Sequence, residues 1–264
     1  MLSFDVIGDI AIIKCFPILL KQKNISIDIF AKILEKNKHI KTVLCQKGGI
    51  SGEYRLGNLE WVFGEKKTDT VHKEYGCKFY VDLNHVYFSP RLSYERMRIA
   101  QEAKHGEKII NMFGGVGSFS ILISRYASIS KIYSIDINPK AIQYALKNIE
   151  LNKIKNKIVP IMGDAKHITT THLSTKIDRV LMPLPLRSFE YLTYAVKALK
   201  KRGGIIHYYD FVHSTKSEDP MKKVSYKVST NLCKQEINHK IKFAKSVRSV
   251  GPNWHQIVLD IEIE

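Results

Sequence analysis

Between residues 93 and 209 short apolar segments of strand length alternate with segments whose apolar residues recur at helical spacing. This alternation constrains the fold more than any other feature. Parallel strands cannot be joined by tight hairpins and need crossover connections, so strands interleaved with helices build a mainly parallel sheet covered on both faces. The spacing predicts helices over 93–105, 118–126, 139–152 and 188–199. It predicts strands over 108–112, 132–135, 158–162, 179–182 and 204–209, with a last strand over 256–263. The fold class expected is α/β, a doubly wound sheet.

The first seventy residues have a different texture. A strand over 6–14, a helix over 26–37 carrying Ile27, Phe30, Ile33 and Leu34, and a strand over 42–46 precede a glycine-rich turn over 47–55. Polar residues Glu65 to Thr70 form the natural link to the next domain, and strand character resumes at 78–82. Two domains are expected: a small basic α/β unit over 1–70 and a larger sheet domain over 71–264.

Charge narrows the partners. Lys and Arg total 42 against 25 Asp and Glu, a formal charge of +17 spread along the chain. Such an excess favours a polyanion, nucleic acid ahead of a membrane surface, over a basic surface that serves solubility alone. Cys15, Cys45, Cys77 and Cys233 form no Cys-x-x-Cys pair, so neither a zinc site nor a disulfide framework is indicated and buried free thiols are expected. Asp5 and Asp9 interrupt the first apolar run, so it does not read as a secretory signal. No apolar window is long enough to span a bilayer. A cytoplasmic protein without metal or membrane partner is expected, and nothing in the sequence specifies an oligomeric state.

The chemistry is concentrated after the first central strand. Ile109 to Phe119 runs from a buried strand through Phe113, Gly114, Gly115 and Gly117 into a helix, where glycines let backbone approach a ligand closely. Asp136 ends the next strand about 19 residues beyond Gly117, followed by Ile137, Asn138 and Pro139. A carboxylate in that place grips the ribose hydroxyls of nucleotide-type cofactors. Met162-Gly163-Asp164 follows the third strand, where Asp164 either accepts from an adenine amino group or caps a helix. Met182-Pro183-Leu184-Pro185 follows the fourth, and is either a substrate-facing wall or a rigid turn. Together these favour S-adenosylmethionine over a nicotinamide dinucleotide.

Segments 48–55, 87–96, 136–139, 207–209 and 252–255, with the glycine loop, resemble the archaeal and eukaryotic tRNA (guanine37-N1)-methyltransferases and their relatives in wyosine synthesis. The resemblance covers nearly the whole chain. It implies a class I methyltransferase domain with an antiparallel terminal strand, preceded by a small RNA-facing domain, acting on the tRNA anticodon loop. It also implies that Arg55 stabilises the target base, that Glu95 removes its proton, and that Pro185 lines the base site. Tyr87, Arg91, Phe113, Gly115, Gly117, Asp136, Ile137, Asp164 and Met182 would surround the donor. From pattern alone, the favoured reading is that Glu95 and Arg96 belong to an ordinary charged helix face, with Arg55 pairing to one of them.

Three departures from the family pattern bear on function. Asn111 stands where a carboxylate usually opens the glycine motif. Met182 stands where N1-methylating members carry an asparagine, and methionine makes no amide hydrogen bonds to a guanine edge. The resemblance starts at the RNA-facing domain, and the expectation is that the further N-terminal module of many members is absent. The expectation is therefore C7-methylation of the tricyclic imidazopurine precursor of wyosine, slightly ahead of guanine37-N1 methylation. Aminocarboxypropyl transfer and a non-catalytic RNA-binding protein are the further alternatives.

Overall fold

The computed structural model describes residues 4–14, 30–33, 35–154 and 156–264. The helix expected over 26–37 lies partly outside these, and the described residues 30–33 and 35–36 are helical. The first unit is a four-stranded sheet, β1 (Phe4–Ile7), β2 (Ile10–Lys14), β3 (Thr42–Ser51) and β4 (Leu56–Gly64), in that order. β2 and β3 are parallel, and the outer pairs are antiparallel. Phe30, Ile33 and Ile40 bury against Ile13 and Val43 to form its core.

The single strand expected over 6–14 is broken into a hairpin. Gly8 adopts φ +57° there, and the Asp9 carboxylate accepts from the Thr70 hydroxyl at 2.7 Å and the Lys67 ammonium at 2.6 Å. A Cβ on Gly8 would run into the Thr70 side chain. Gly8→Ala is therefore expected to cost about 1–3 kcal/mol of stability, read by chemical denaturation, because both the backbone conformation and the docking onto Thr70 are lost. The expectation of buried free thiols also needs correction: Cys45 is disulfide-bonded, Cys77 is free and buried, and Cys233 is free but exposed. A disulfide depends on which segments folding brings within reach, and spacing along the sequence does not show that.

A hairpin, β5 (Asp69–Glu74) and β6 (Cys77–Asp82), joins this unit to the main sheet. Its open edge is closed by side chains of a helix. Asn148 accepts from the Tyr80 amide at 2.7 Å and donates to the carbonyls of Tyr80 and Val116, and Asn152 brackets Lys78 in the same way. Two asparagines one helical turn apart thus stand in for a neighbouring strand.

The main sheet holds β7 (Lys108–Asn111), β8 (Lys131–Asp136), β9 (Ile158–Met162), β10 (Arg179–Met182), β11 (Gly204–His213), β12 (His239–Gly251) and β13 (Trp254–Ile263). Its order is β12-β13-β11-β10-β7-β8-β9; β13 is antiparallel to β11, and the strands from β11 to β9 are parallel. Helices α1 (Ser93–Glu102), α2 (Ser118–Tyr126) and α3 (Pro139–Leu151) contribute buried side chains to one core, with Ile109 and Leu181. Helices α4 (Ala165–His172), α5 (Ser188–Ala198) and α6 (Pro220–Lys234) contribute to a second, with Ile110, Val180 and Met182. Neighbouring residues of one strand feed opposite cores, which is the mark of a sheet covered on both faces. Among the described residues no helix is long and apolar enough to cross a membrane.

Candidate functional site

The sheet places its chemistry where β7, β8, β9 and β10 end. After β7 the chain turns through Gly114, whose amide donates to the Ile135 carbonyl at 2.7 Å and whose α-carbon leaves no room for a side chain beside Ser134. Gly115 follows with φ +54°, and a Cβ there would meet open space, so its backbone borders the cleft directly. Its amide donates to one oxygen of Asp136 at 2.7 Å, while the other accepts from the Asn138 amide at 2.9 Å. Burial raises the pKa of Asp136 even though backbone donors favour its charged form.

At the end of β9, Asp164 caps α4 by accepting from the Lys166 amide at 2.7 Å, and the Tyr191 hydroxyl donates to both of its oxygens at 3.1 and 3.2 Å. Burial and the facing Asp164 push Tyr191 up to about 12, so it remains a donor. The Phe113 ring meets Tyr191 edge-on at 5.1 Å. Asp164 is thus the helix cap as well as a residue of the cleft. Asn111 is sealed in a local network, its amide donating to Ser120 and its oxygen accepting from the Phe113 amide.

The first unit closes the other side. The turn after β3 brings Arg55 into the cleft with φ +55°. Its guanidinium lies 5.7 Å from the centre of the Tyr87 ring, and its Nη1 is buried without a hydrogen-bond partner among the described residues. Burial lowers the Arg55 pKa, Tyr87 offsets this in part, and Arg248 adds like-charge repulsion. The resulting cleft is about 240 Å³.

Arg55, Tyr87, Phe113, Gly115, Asp136, Ile137, Asp164 and Pro185 meet around this one space. Four expected site residues do not. Arg91 pairs with Asp5 at 2.7 Å and ties the helical turn at 90–92 to β1. Gly117, with φ +84°, starts α2 and is packed against Ile121 and Ala145. Met182 lies fully buried in the second core, because alternate residues of β10 face opposite sides of the sheet. Glu95 is 2% exposed, accepts two bonds from Arg98 at 2.8 and 3.0 Å, and accepts from the Tyr209 hydroxyl at 2.6 Å. A carboxylate so engaged is held by its partners, so the geometry does not offer it as a proton acceptor for a bound base. Nor does Arg55 pair with Glu95 or Arg96; Arg96 forms a bidentate pair with Glu74 at 2.6 and 2.7 Å. Gly163, Tyr191, Phe211, Arg248 and Gln256 also line the cleft, and sequence reasoning does not single them out. Of these, only Gly163 lies in a segment that the motifs mark.

Glu95 belongs instead to a buried chain of charges. Arg98 bridges it to Asp260 at 2.6 Å, Asp260 bonds His207 at 2.5 Å, and His207 meets Arg179, which pairs with Glu107 at 2.7 Å. Arginine only donates, so His207 Nε2 must accept from it and Nδ1–H must donate to Asp260. The ring is therefore neutral, and burial lowers its pKa. Glu95→Ala is expected to cost about 2–4 kcal/mol in denaturant unfolding, since it strips Arg98 of one partner and leaves Tyr209 unsatisfied.

The same network sets the acid response. Burial works against ionisation of Glu74 and Asp260. Hydrogen bonds from His72 and Arg96 to Glu74, and from His207 and Arg98 to Asp260, outweigh it and hold both at about 2. All three folded-state pKa values, including that of His207, lie below the unfolded ones. Their stability is complete above the unfolded values and is lost as pH falls through the folded ones. Melting temperature is therefore expected to start falling below about pH 6.5, where unfolded histidine protonates, and to fall more steeply below about pH 4.5. Replacing His207 by Gln should remove the first limb of a melting-temperature profile against pH and leave the second.

Comparison with known proteins agrees with this geometry. The chain is 37% identical over 261 residues to tRNA (guanine(37)-N(1))-methyltransferase Trm5b of Pyrococcus abyssi, covering 99% of this chain and 74% of that protein. It is 37% identical over 258 residues to tRNA 4-demethylwyosine(37)-methyltransferase Taw21 of Saccharolobus solfataricus, covering 98% and 92%. It is 31% identical over 267 residues to a tRNA(Phe) (4-demethylwyosine(37)-C(7)) aminocarboxypropyltransferase of Methanocaldococcus jannaschii, covering 100% and 98%. The crystal structure of Trm5b from Pyrococcus abyssi superposes with a TM-score of 0.85 over 99% of this chain and 75% of that one, at 36% identity. Residues 2–68 match the TYW2 N-terminal domain and residues 70–237 the TRM5/TYW2 methyltransferase domain. With the doubly wound sheet, the glycine loop against Asp136 and the arginine brought in by the first unit, this chain belongs to the TRM5/TYW2 methyltransferase family.

Proposed function

We propose that the chain uses S-adenosylmethionine to alkylate the purine at position 37 of tRNA, and specifically that it methylates carbon C7 of the tricyclic wyosine precursor. The observation that carries this reading is a single cleft bordered by Gly115, Asp136 and Asp164 and by Arg55, whose buried Nη1 has no hydrogen-bond partner among the described residues.

The cleft residues fit the donor. Asp136 would hold the ribose hydroxyls, Ile137, 43% exposed, would cover one face of the adenine, and Asp164 would accept from its amino group. When bound, the donor supplies an electrophilic carbon on a sulfonium. Arg55 would meet the acceptor base and offset negative charge that builds on its oxygen. The target base must leave the anticodon loop to reach a cleft of this depth, and the basic first unit would hold the flanking phosphates.

The choice of acceptor atom rests on the apolar wall of the cleft and on the engagement of Glu95, Asp136 and Asp164; Glu53, exposed on the turn that carries Arg55, also lines the cleft. Guanine N1 is protonated at neutral pH and needs a base before it attacks, whereas an enamine-like carbon attacks first and loses its proton afterwards. Glu95 is engaged by Arg98 and Tyr209, and Asp136 and Asp164 are engaged by backbone amides. The Asn138 side chain is occupied by the His85 carbonyl and the Lys140 amide, and the Gln256 oxygen by Arg248. Pro183, Leu184 and Pro185 give an apolar wall suited to an extended ring system. Methyl transfer to tRNA bearing the tricyclic intermediate, with none to unmodified guanosine-37 tRNA, supports this reading; the opposite preference contradicts it.

A further inference from the structure

We infer that Arg248 anchors a backbone phosphate of the flipped acceptor nucleotide, next to the base held by Arg55. The inference rests on the reading of the cleft as a tRNA site. It starts from how this chain treats its arginines. Among the described residues five arginines are buried or half-buried: Arg55, Arg96, Arg98, Arg179 and Arg248. Arg96, Arg98 and Arg179 each pair with at least one carboxylate. Arg55 and Arg248 have no carboxylate partner among the described residues, yet they border the same cleft.

Arg248 is held by neutral groups. Its Nε donates to the Gln256 side-chain oxygen at 2.8 Å across the β12–β13 pair, and its Nη1 donates to the Ser89 hydroxyl at 3.3 Å. Gln256 is itself 2% exposed, so the guanidinium is oriented by a fixed partner that leaves its charge whole. Nη2 makes no hydrogen bond among the described residues, and neither does the buried Nη1 of Arg55. Two like charges in a partly dewetted space repel each other, and an anion supplied by the ligand relieves that repulsion. Guanidinium forks match phosphate oxygens in shape as well as charge.

The donor also carries an anionic group, its carboxylate, but sheet order favours the nucleic acid. Arg248 stands on β12 at one edge, whereas Asp136 and Asp164 follow β8 and β9 at the other. At about 4.8 Å per strand, β8 and β12 stand roughly 24 Å apart, so a donor anchored by its adenosine at Asp136 holds its carboxylate short of Arg248. The base that meets Arg55, in contrast, brings its own phosphates with it through the ribose.

The test uses Arg248→Gln and the full chain, with anticodon stem-loop RNAs in which the phosphate on the 5′ or the 3′ side of nucleotide 37 is replaced by an uncharged methylphosphonate. Three results are expected of the variant: about 10- to 100-fold lower kcat/KM, carried mainly by KM for RNA; a salt-dependence slope of RNA binding reduced by about 1; and unchanged donor Kd. One of the two neutral linkages should weaken wild-type binding by a similar factor and weaken the variant no further. A loss of donor affinity in Arg248→Gln, or losses from variant and linkage that multiply, would overturn the assignment. RNA binding is measured without donor. If the wild-type protein alkylates no position-37 substrate, the functional reading fails, while the binding arm still decides the role of Arg248.

Discussion

Arg55→Ala is expected to slow alkyl transfer about 10²–10³-fold while leaving donor affinity within about twofold, the size of effect found when one donor to a developing negative charge is removed. The expectation follows from the state of the side chain. Arg55 is brought in by a left-handed turn and stacks near Tyr87, and its Nη1 lies buried without a hydrogen-bond partner among the described residues. A desolvated charge without a partner is costly, and the cost is recovered when the acceptor arrives. Arg55→Lys should recover only part of the rate, because an ammonium lacks the planar fork. Single-turnover rates alongside donor titration calorimetry separate the two quantities. A loss of donor affinity equal to the loss of rate would place Arg55 at the donor instead.

Asp136→Ala should behave in the opposite way, weakening S-adenosylmethionine binding by about 10- to 100-fold, the value of one or two hydrogen bonds to a charged acceptor. Transfer at saturating donor should fall much less. Asp136 also receives the Gly115 and Asn138 amides, so part of the loss will come from a looser glycine loop. Asp136→Asn distinguishes these contributions. It keeps an acceptor for one amide but sets an N–H against the other, so it should resemble Ala in affinity. Titration calorimetry that finds wild-type affinity in both variants would remove Asp136 from the donor site.

The parts of this molecule that are legible in its sequence are those fixed by local chemistry. Strands β9 and β10 and helix α2 fall on the expected residues, because apolar runs there are bounded by glycine, proline and polar residues. The terminal strand is antiparallel as the resemblance implies. Helix α6 is absent from the expected elements although Asp219 and Pro220 announce it, Asp219 accepting from the amides of Met221 and Lys222. β12 is absent too, because its mixed lysines and apolar residues suit a half-covered edge strand and give no clean alternation. At the site, the motif segments bring Arg55, Asp136 and Asp164 to one cleft, whereas Glu95 and Met182 lie outside it. Long-range pairing decides those two: Glu95 meets Tyr209, and Met182 joins the core to which Leu192 and Val224 also belong. Arg248 has no local signal at all, since its meaning arises only when β12 lies beside β13 and Gln256 fixes it.

Transfer of labelled methyl from S-adenosylmethionine to two tRNAs, one with unmodified guanosine-37 and one with the tricyclic intermediate, followed by nucleoside mass spectrometry, decides the acceptor. One added methyl is expected on the tricyclic base and none on guanosine. Methyl on guanosine N1 would contradict the assignment of acceptor atom. Absence of any adduct on either RNA, with donor bound normally, would contradict catalysis at position 37.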